Sequence, residues 1–145
     1  MKAEFWAILT ALCWGIGSLL EKKGVKIGGL TPVMGTVIRT AVSLLLLLLL
    51  SYRFWPQVRL AGFKSISLIA VGGGLLAGGL GIMFLYTGLK EGNLSTVMTI
   101  AFCLAPVVSI VLGVLVLHEK LQPVQWLGIV LCISGAALVT YYRQA

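Results

Sequence analysis

Five long apolar runs take up most of this sequence and leave only short segments between them. They cover residues 5–27, 32–52, 65–89, 94–117 and 123–142. Each run is close to the roughly 20 residues that an α-helix needs to cross a bilayer. Because 59% of the chain is hydrophobic, a water-soluble domain of this length could not bury these residues behind a polar exterior. The sequence therefore predicts an all-α integral membrane protein, with one domain over residues 1–145 that forms a bundle of five transmembrane helices.

The predicted helix boundaries are marked by residues that favour helix starts. Pro32 and Pro123 stand where the first turn of a helix tolerates proline, and Thr31 can cap the second helix. The longest connection, RFWPQVRLAGFK, is basic and aromatic, which is typical of an interfacial loop.

The first apolar run must be distinguished from a signal peptide. Glu4 is unusual in the positive leader of a signal peptide, and no small-x-small cleavage site stands out. We therefore expect the first run to be retained as a membrane helix.

The positive charges divide evenly between the two sides of the predicted bundle. The chain carries 11 Lys and Arg against four acids, a balance that would indicate nucleic acid in a soluble protein. Here the charges lie between apolar runs, where they anchor helices and set topology, so we expect no nucleic-acid partner. One side holds Lys2, Arg53, Arg59, Lys64 and Lys120, and the other holds Lys22, Lys23, Lys26, Lys90 and Arg143. Such a split is either accidental or what a chain needs to insert both ways and form an antiparallel dimer.

Arg39 is a permanent positive charge inside the second apolar run. Counted from Pro32 it lies about 10 Å deep, at 1.5 Å per residue. Arg53 follows about 21 Å further on, which is less than the ~30 Å hydrocarbon core, so the two cannot lie at opposite interfaces. The helical neighbours of Arg39 are Gly35, Thr36 and Ser43. This small and polar face is predicted to turn towards protein or a water-filled cavity.

Glu21 is the predicted partner of Arg39. If the turn between the first two helices lies near Leu30, the two residues are equally far from it along the chain and reach similar depth. Glu21 also continues an inward-facing stripe of the first helix. That stripe comprises Thr10, Trp14, Ser18 and Glu21.

Two interpretations of this pair are open. In one, the ion pair only fixes the hairpin of the first two helices. In the other, Arg39 faces a substrate pathway and meets an anionic group, with Trp14 as an aromatic wall and Ser18 and Thr36 on the same inward faces.

Small residues recur on the later helices and predict close helix packing. The packing candidates are Gly74, Gly78, Gly113 and Gly128. Each can serve the bundle within one chain, and at least one of these stripes is expected to face another subunit. Pro106 is predicted to kink the fourth helix, either statically or as a hinge, because proline removes one helical hydrogen bond. Glu119 is predicted to anchor the tight turn between the fourth and fifth helices or to cap the fifth helix.

Side chains that would carry enzyme or metal chemistry are few. The three cysteines, Cys13, Cys103 and Cys132, lie within apolar runs without metal-ligand spacing. His118 is the single histidine and has no cluster of possible co-ligands around it in sequence. We find no phosphate-binding loop and no nucleophile–base arrangement. The sequence therefore predicts no metal, no cofactor and no enzymatic activity.

Residues 86–139 resemble the C-terminal part of an EamA-type domain of the drug/metabolite transporter superfamily. The resemblance rests on Tyr86 and Gly88 at a helix end, the mid-helix Pro106, and the LHEKL stretch at 117–121. Gln125, Gly128 and Gly135 follow in the last helix, and Trp14-Gly15 and an early arginine in the second helix agree more loosely. Members of this family usually have ten helices in two inverted repeats and export small metabolites.

This chain holds one such repeat, one half of the usual transporter. The resemblance therefore implies a small-metabolite exporter that works by alternating access, as an antiparallel homodimer or with a separately encoded homologous half. It also implies a multi-pass protein of the bacterial inner membrane, with a small-molecule substrate and the lipid bilayer as partners. Two alternatives stay open: a flippase subunit for a lipid-linked carrier, and a non-transporting subunit of a larger membrane complex.

Overall fold

A computed structural model describes residues 3–142, except the side chains of Ala3, Glu4 and Arg59. Lys2 and Arg143, which belong to the charge count, lie outside the described residues. Over this range the chain is mostly helical and contains no strand. The α-helices are α1 (Ala3–Gly28), α2 (Pro32–Ser51), α3 (Trp55–Ile69), α4 (Ile82–Glu91), α5 (Leu94–Leu117) and α6 (Pro123–Tyr141), and a π-helical segment covers Ala70–Gly81.

Five stretches of the described chain are long and apolar enough to cross a membrane. They are Phe5–Gly28, Pro32–Ser51, Leu60–Glu91, Leu94–Leu117 and Pro123–Tyr141. The prediction of an all-α membrane fold with five spans is thereby confirmed. Only 6% of the residues in the most apolar window of each span are buried within the chain, so most apolar side chains are left to meet lipid or another protein surface. The chain divides after Glu91 into two compact units.

The first unit is held together where α4 packs against α1 and α2. The buried cluster at this point comprises Val25 of α1 with Ile82 and Tyr86 of α4. α1 ends at a tight turn in which Gly29 has a φ of 59° and the Leu30 N–H donates to the Val25 carbonyl at 3.1 Å. The hydroxyl of Thr31 then accepts from the Met34 N–H at 3.3 Å and caps α2.

The third span is less regular than its hydropathy indicates. The RFWPQVRLAGFK segment, which we expected to be a loop, is largely helical, because α3 begins at Trp55 with Pro56 in its first turn. Gly62 interrupts this helix with a φ of 75° and a ψ of 158°, a conformation that is open to glycine and strained for other residues.

The π-helical segment that follows contains six glycines among its 12 residues. Glycine permits the close backbone approach and the wider turn that i→i+5 hydrogen bonds demand. Nothing in the sequence analysis predicted this geometry.

The second unit is the pair of α5 and α6. α5 corresponds to the predicted fourth helix and runs through Pro106 as one helix, so the kink predicted there stays a prediction. It ends at His118, which takes the left-handed conformation with a φ of 54°. The Glu119 N–H donates to the Gly113 carbonyl at 3.2 Å and closes the turn. α6 starts with a capping box, in which the Gln122 N–H donates to the side-chain oxygen of Gln125 at 2.7 Å.

Candidate functional site

A salt bridge between α1 and α2 forms the centre of the candidate site. Arg39 Nε donates to Glu21 Oε1 at 2.9 Å, and the two side chains are 30% and 20% exposed. The two residues that depth counting matched are therefore in direct contact. A charge-assisted bond of this length is strong, and both groups would be costly to leave unpaired in a membrane span.

The indole of Trp14 lies against the same guanidinium. Arg39 Cζ is 5.6 Å from the centroid of the Trp14 ring, which is the distance of a cation–π contact. Trp14 and Glu21 are both on α1, so one helix supplies both an aromatic face and a carboxylate to the arginine of the next. The guanidinium is therefore contacted by two side chains of the same helix.

Tyr86 is a third polar group at the site and comes from α4. The residue is only 4% exposed, and its side chain forms a hydrogen bond with the Glu21 carboxylate and interacts electrostatically with Arg39. The ring packs so closely on α2 that a Cβ added at Gly35 would lie 2.5 Å from two of its carbons. Sequence reasoning named Tyr86 only as part of a family motif. The available signal was a hydrogen-bonding aromatic residue inside an apolar span.

Two cavities border the ion pair. The smaller has a volume of about 210 Å³, and the larger, of about 480 Å³, opens on the other side of the pair. Glu21 and Arg39 line both, whereas Trp14 lines only the smaller and Tyr86 only the larger. The remaining lining of the smaller cavity is Cys13, Gly17, Ser18 and Leu85. The ion pair therefore stands between two spaces within the first unit.

The two predicted hydroxyl residues lie in different surroundings. Ser18 is 3% exposed, lines the smaller cavity, and donates its hydroxyl to the Trp14 carbonyl at 2.6 Å. Thr36 donates to the Pro32 carbonyl at 2.9 Å and lines neither cavity. Both hydroxyls are thus used within their own helices, and only Ser18 is brought to the site.

The packing glycines also differ from one another. Gly113 is buried, and a Cβ there would lie 2.8 Å from a carboxylate oxygen of Glu119. Glu119 therefore lies against the end of α5, while the start of α6 is capped by Gln122 and Gln125. Added Cβ atoms at Gly74 and Gly128 would meet no atom within 4 Å, whereas one at Gly78 would lie 2.7 Å from the Gly73 carbonyl.

No group of three or more potential metal ligands occurs in the part of the chain that the structure describes. Cys132 Sγ lies 3.8 Å from the Cys103 carbonyl, so these thiols meet between α5 and α6, while Cys13 lines the smaller cavity. The site of Glu21, Arg39, Trp14 and Tyr86 can bind and orient charged groups.

Comparison with known proteins gives one family. The family model described as the EamA-like transporter family matches residues 1–141. An "Uncharacterized transporter" of Helicobacter pylori (strain ATCC 700392 / 26695) is 29% identical over 92% of this chain and 43% of its own length. "Uncharacterized transporter YxxF" of Bacillus subtilis (strain 168) is 27% identical over 96% of this chain and 42% of its own length.

A shorter relative has the length of this chain. "Uncharacterized transporter in cobO 3'region" of Sinorhizobium sp is 28% identical, and the match covers 96% of each of the two chains. The chain spans about two fifths of the H. pylori and B. subtilis relatives. No solved structure matches. On the strength of the match over residues 1–141, this chain belongs to the EamA-like transporter family.

Proposed function

We propose that the chain is one half of a membrane transporter that exports a small metabolite by alternating access, as an antiparallel homodimer. It acts as a carrier and not as an enzyme. The observation that carries the proposal is the Glu21–Arg39 pair, which lies in membrane spans and borders a cavity on each side. The direction of transport rests on the resemblance to metabolite exporters. We assign the chain to the inner (cell) membrane of a bacterium because its relatives come from bacteria.

The surroundings of the ion pair support a pathway over a purely structural role. Replacing a buried pair by well-packed apolar residues is often neutral or stabilising, so stability alone is weak grounds for such a pair. Ionisable groups in membrane spans typically mark substrate or ion routes. Here both charges remain partly exposed to cavities and an indole lies on the guanidinium, as in a binding site for a polar solute.

Pairing of two copies is supported by length and charge. The longer relatives are more than twice the length of the matched region, while the Sinorhizobium relative has the length of a single five-span unit. Transporters with inverted repeats form the substrate route between two such units. Two copies of one chain supply the same arrangement if they insert in opposite orientations, and five positive residues on each predicted side favour that outcome.

Paired topology reporters test the orientation. C-terminal fusions to a fluorescent protein active in the cytoplasm and to alkaline phosphatase active outside it are expected to give signal in the same cells. Signal from only one of the two reporters would rule out the antiparallel homodimer.

Transport is tested with purified protein in liposomes loaded with a bacterial metabolite extract, from which efflux is followed by mass spectrometry. At least one small solute should leave faster than from protein-free liposomes loaded with the same extract. Arg39→Gln should abolish that efflux, while Arg53→Lys, which keeps the positive charge on its side of the bundle, should preserve it. Movement of a lipid-linked carrier alone would favour the flippase interpretation. A folded dimer that moves nothing would favour the non-transporting subunit.

The charge-swapped variant separates the two roles of the pair. Glu21→Arg combined with Arg39→Glu keeps an ion pair but places the arginine on α1. If Arg39 binds substrate, the swapped protein should fold and fail to transport. Full activity in the swapped protein would show that the pair only fixes the hairpin.

A further inference from the structure

We propose that the smaller cavity binds a small organic anion, whose carboxylate is held by the terminal nitrogens of Arg39 while Tyr86 retains Glu21. This assignment of substrate class rests on the proposed transport function. It follows from how the groups around Arg39 are used.

The guanidinium of Arg39 keeps donors for a second acid. Arginine has five N–H donors in a planar fork, and the bond to Glu21 uses Nε. The ring centroid of Trp14 lies 5.6 Å from Arg39 Cζ, and a cation–π contact uses the ring face and no hydrogen-bond donor of the guanidinium. The edge formed by the two terminal nitrogens matches the two oxygens of a carboxylate, which bind there as a bidentate pair.

A cation is a poorer match to the same cavity. The Glu21 carboxylate already neutralises Arg39 and also interacts with Tyr86. An ammonium group would have to displace Arg39 from Glu21 and would lie beside its positive charge. A carboxylate can bind without breaking the Nε bond, so the pair discriminates in favour of anions.

Tyr86 acts as a positioning residue for Glu21. Without a second donor, the Glu21 carboxylate would engage the terminal nitrogens of Arg39 and compete with a bound anion. Tyr86 supplies that donor from α4, and its ring is held in place by Val25 and by the open backbone at Gly35. The hydroxyl therefore keeps the arginine edge available.

The volume and lining limit the rest of the ligand. A cavity of about 210 Å³ is smaller than the roughly 300–1,000 Å³ of sites for drug-sized molecules. Leu85, Gly17 and Cys13 add weakly polar and apolar atoms to the lining. The expected ligand is a carboxylate with a short apolar or weakly polar chain.

Three probes of similar shape test the charge preference. Isovalerate, isovaleramide and isoamylamine offer an anion, a neutral amide and a cation on a branched carbon chain of the same size. Binding to the full chain in lipid nanodiscs is measured by calorimetry at constant ionic strength. Isovalerate should bind about 10-fold more tightly than the amide, the scale of one charge-assisted contact, and the amine weakest. Equal binding of all three, or tightest binding of the amine, would overturn the proposal.

Substitutions at the pair give effects of opposite sign. Arg39→Lys keeps the charge but lacks the fork, and should weaken isovalerate binding about 10-fold. Glu21→Gln removes the competing carboxylate and should tighten isovalerate binding. This second variant keeps the test decisive if Arg39→Lys does not fold. Arg53→Lys is the matched control, because Arg53 also lies over an aromatic ring, Tyr52 at 5.4 Å, but outside the site. An unchanged affinity in both Arg39→Lys and Glu21→Gln would refute the site.

The role of Tyr86 is tested by its dependence on Glu21. Tyr86→Phe should weaken isovalerate binding several-fold in the natural background and should have no effect when Glu21 is already glutamine. A merely structural tyrosine would produce the same loss in both backgrounds, and that result would remove the positioning role.

The transport assay distinguishes the two proposals from each other. If the liposomes release other solutes while isovalerate is neither transported nor inhibits their efflux, that result would support the transporter proposal and reject the anion site. Tight, Arg39-dependent isovalerate binding without efflux of any solute would leave the site standing and reject transport.

Discussion

Gly35 shows how much one residue decides where three spans meet. It lies on α2 beneath the Tyr86 ring, and an added Cβ would be 2.5 Å from two ring carbons and 3.3 Å from a methyl of Val25. An aromatic ring cannot bend away as the end of a flexible side chain can. Gly35→Ala should therefore lower the free energy of unfolding by about 1–3 kcal/mol, the usual cost of overpacking, measured by SDS titration in mixed micelles.

Gly15→Ala is the control for this substitution. Gly15 lies within α1, and a Cβ there would meet no atom within 4 Å. Alanine should be neutral or stabilise the helix by up to about 1 kcal/mol. Equal stability of the two variants would mean that Tyr86 does not pack on α2 as the structure has it.

Single residues were predictable from sequence to different degrees. The contact between Glu21 and Arg39 follows from counting along a hairpin, since depth in a bilayer depends only on rise per residue. Tyr86 could not be placed in the same way, because its contact depends on which direction the third span faces. Thr36 shares the helical neighbourhood of Arg39, yet its hydroxyl donates to its own helix, as threonine often does. The roles of these residues stay predictions.

Among the secondary-structure elements, the π-helical segment can be tested by comparing alanine substitutions at two of its glycines. Gly74 and Gly78 lie one above the other in it, but only a Cβ at Gly78 would strike backbone, 2.7 Å from the Gly73 carbonyl. Gly78→Ala should cost about 1–3 kcal/mol of stability, while Gly74→Ala should cost nothing. The two variants are compared by SDS titration, and equal costs would show that the segment does not have this backbone geometry.

The contact between α5 and α6 can be tested through their thiols. Cys132 Sγ lies 3.8 Å from the Cys103 carbonyl, so a methylene-bridged bis-methanethiosulfonate should link the two side chains within one molecule. Mass spectrometry of the digested protein should then find Cys103 and Cys132 joined by one cross-link, with Cys13, which is exposed, outside that cross-link. Single-ended adducts on both Cys103 and Cys132, or a linkage that includes Cys13, would contradict the pairing of α5 with α6.

Those features of the helices that depend on hydropathy could be predicted from the sequence. The five spans appear because apolar runs of sufficient length have few alternatives to a membrane helix. The connection after Arg53 was wrongly expected to be a loop, since its charges interrupt the apolar pattern but do not break a helix. The π-helical segment is invisible to hydropathy, which does not depend on how tightly the backbone is wound.

For the whole molecule, the even division of positive charges predicts how two charge variants behave. Neither variant should transport when expressed alone, and the two should transport when expressed together. Lys64→Gln with Lys120→Gln leaves three positive residues on one predicted side against five on the other; Lys26→Gln with Lys90→Gln does the reverse. Each pair of substitutions should fix one orientation. In an antiparallel homodimer, each variant expressed alone should therefore lose transport, and co-expression should restore it.

Topology reporters on each variant provide the control, because they show whether the orientation is fixed. Full transport by one orientation-fixed variant alone would rule out an antiparallel homodimer. Loss of transport that co-expression does not restore, with both variants inserted in opposite orientations, would also contradict it.

The winding of the third span has a consequence for the direction in which Tyr86 points. A π-turn advances each residue by about 80° about the axis, whereas an α-turn advances it by about 100°. Over the 12 residues from Ala70 to Gly81 this difference amounts to more than half a revolution. An α-helical stretch of the same length would leave α4 at the same place in the sequence but turn Tyr86 away from Glu21. Six glycines some distance along the chain thus act as an angular offset that determines which side chain the third span presents to the ion pair.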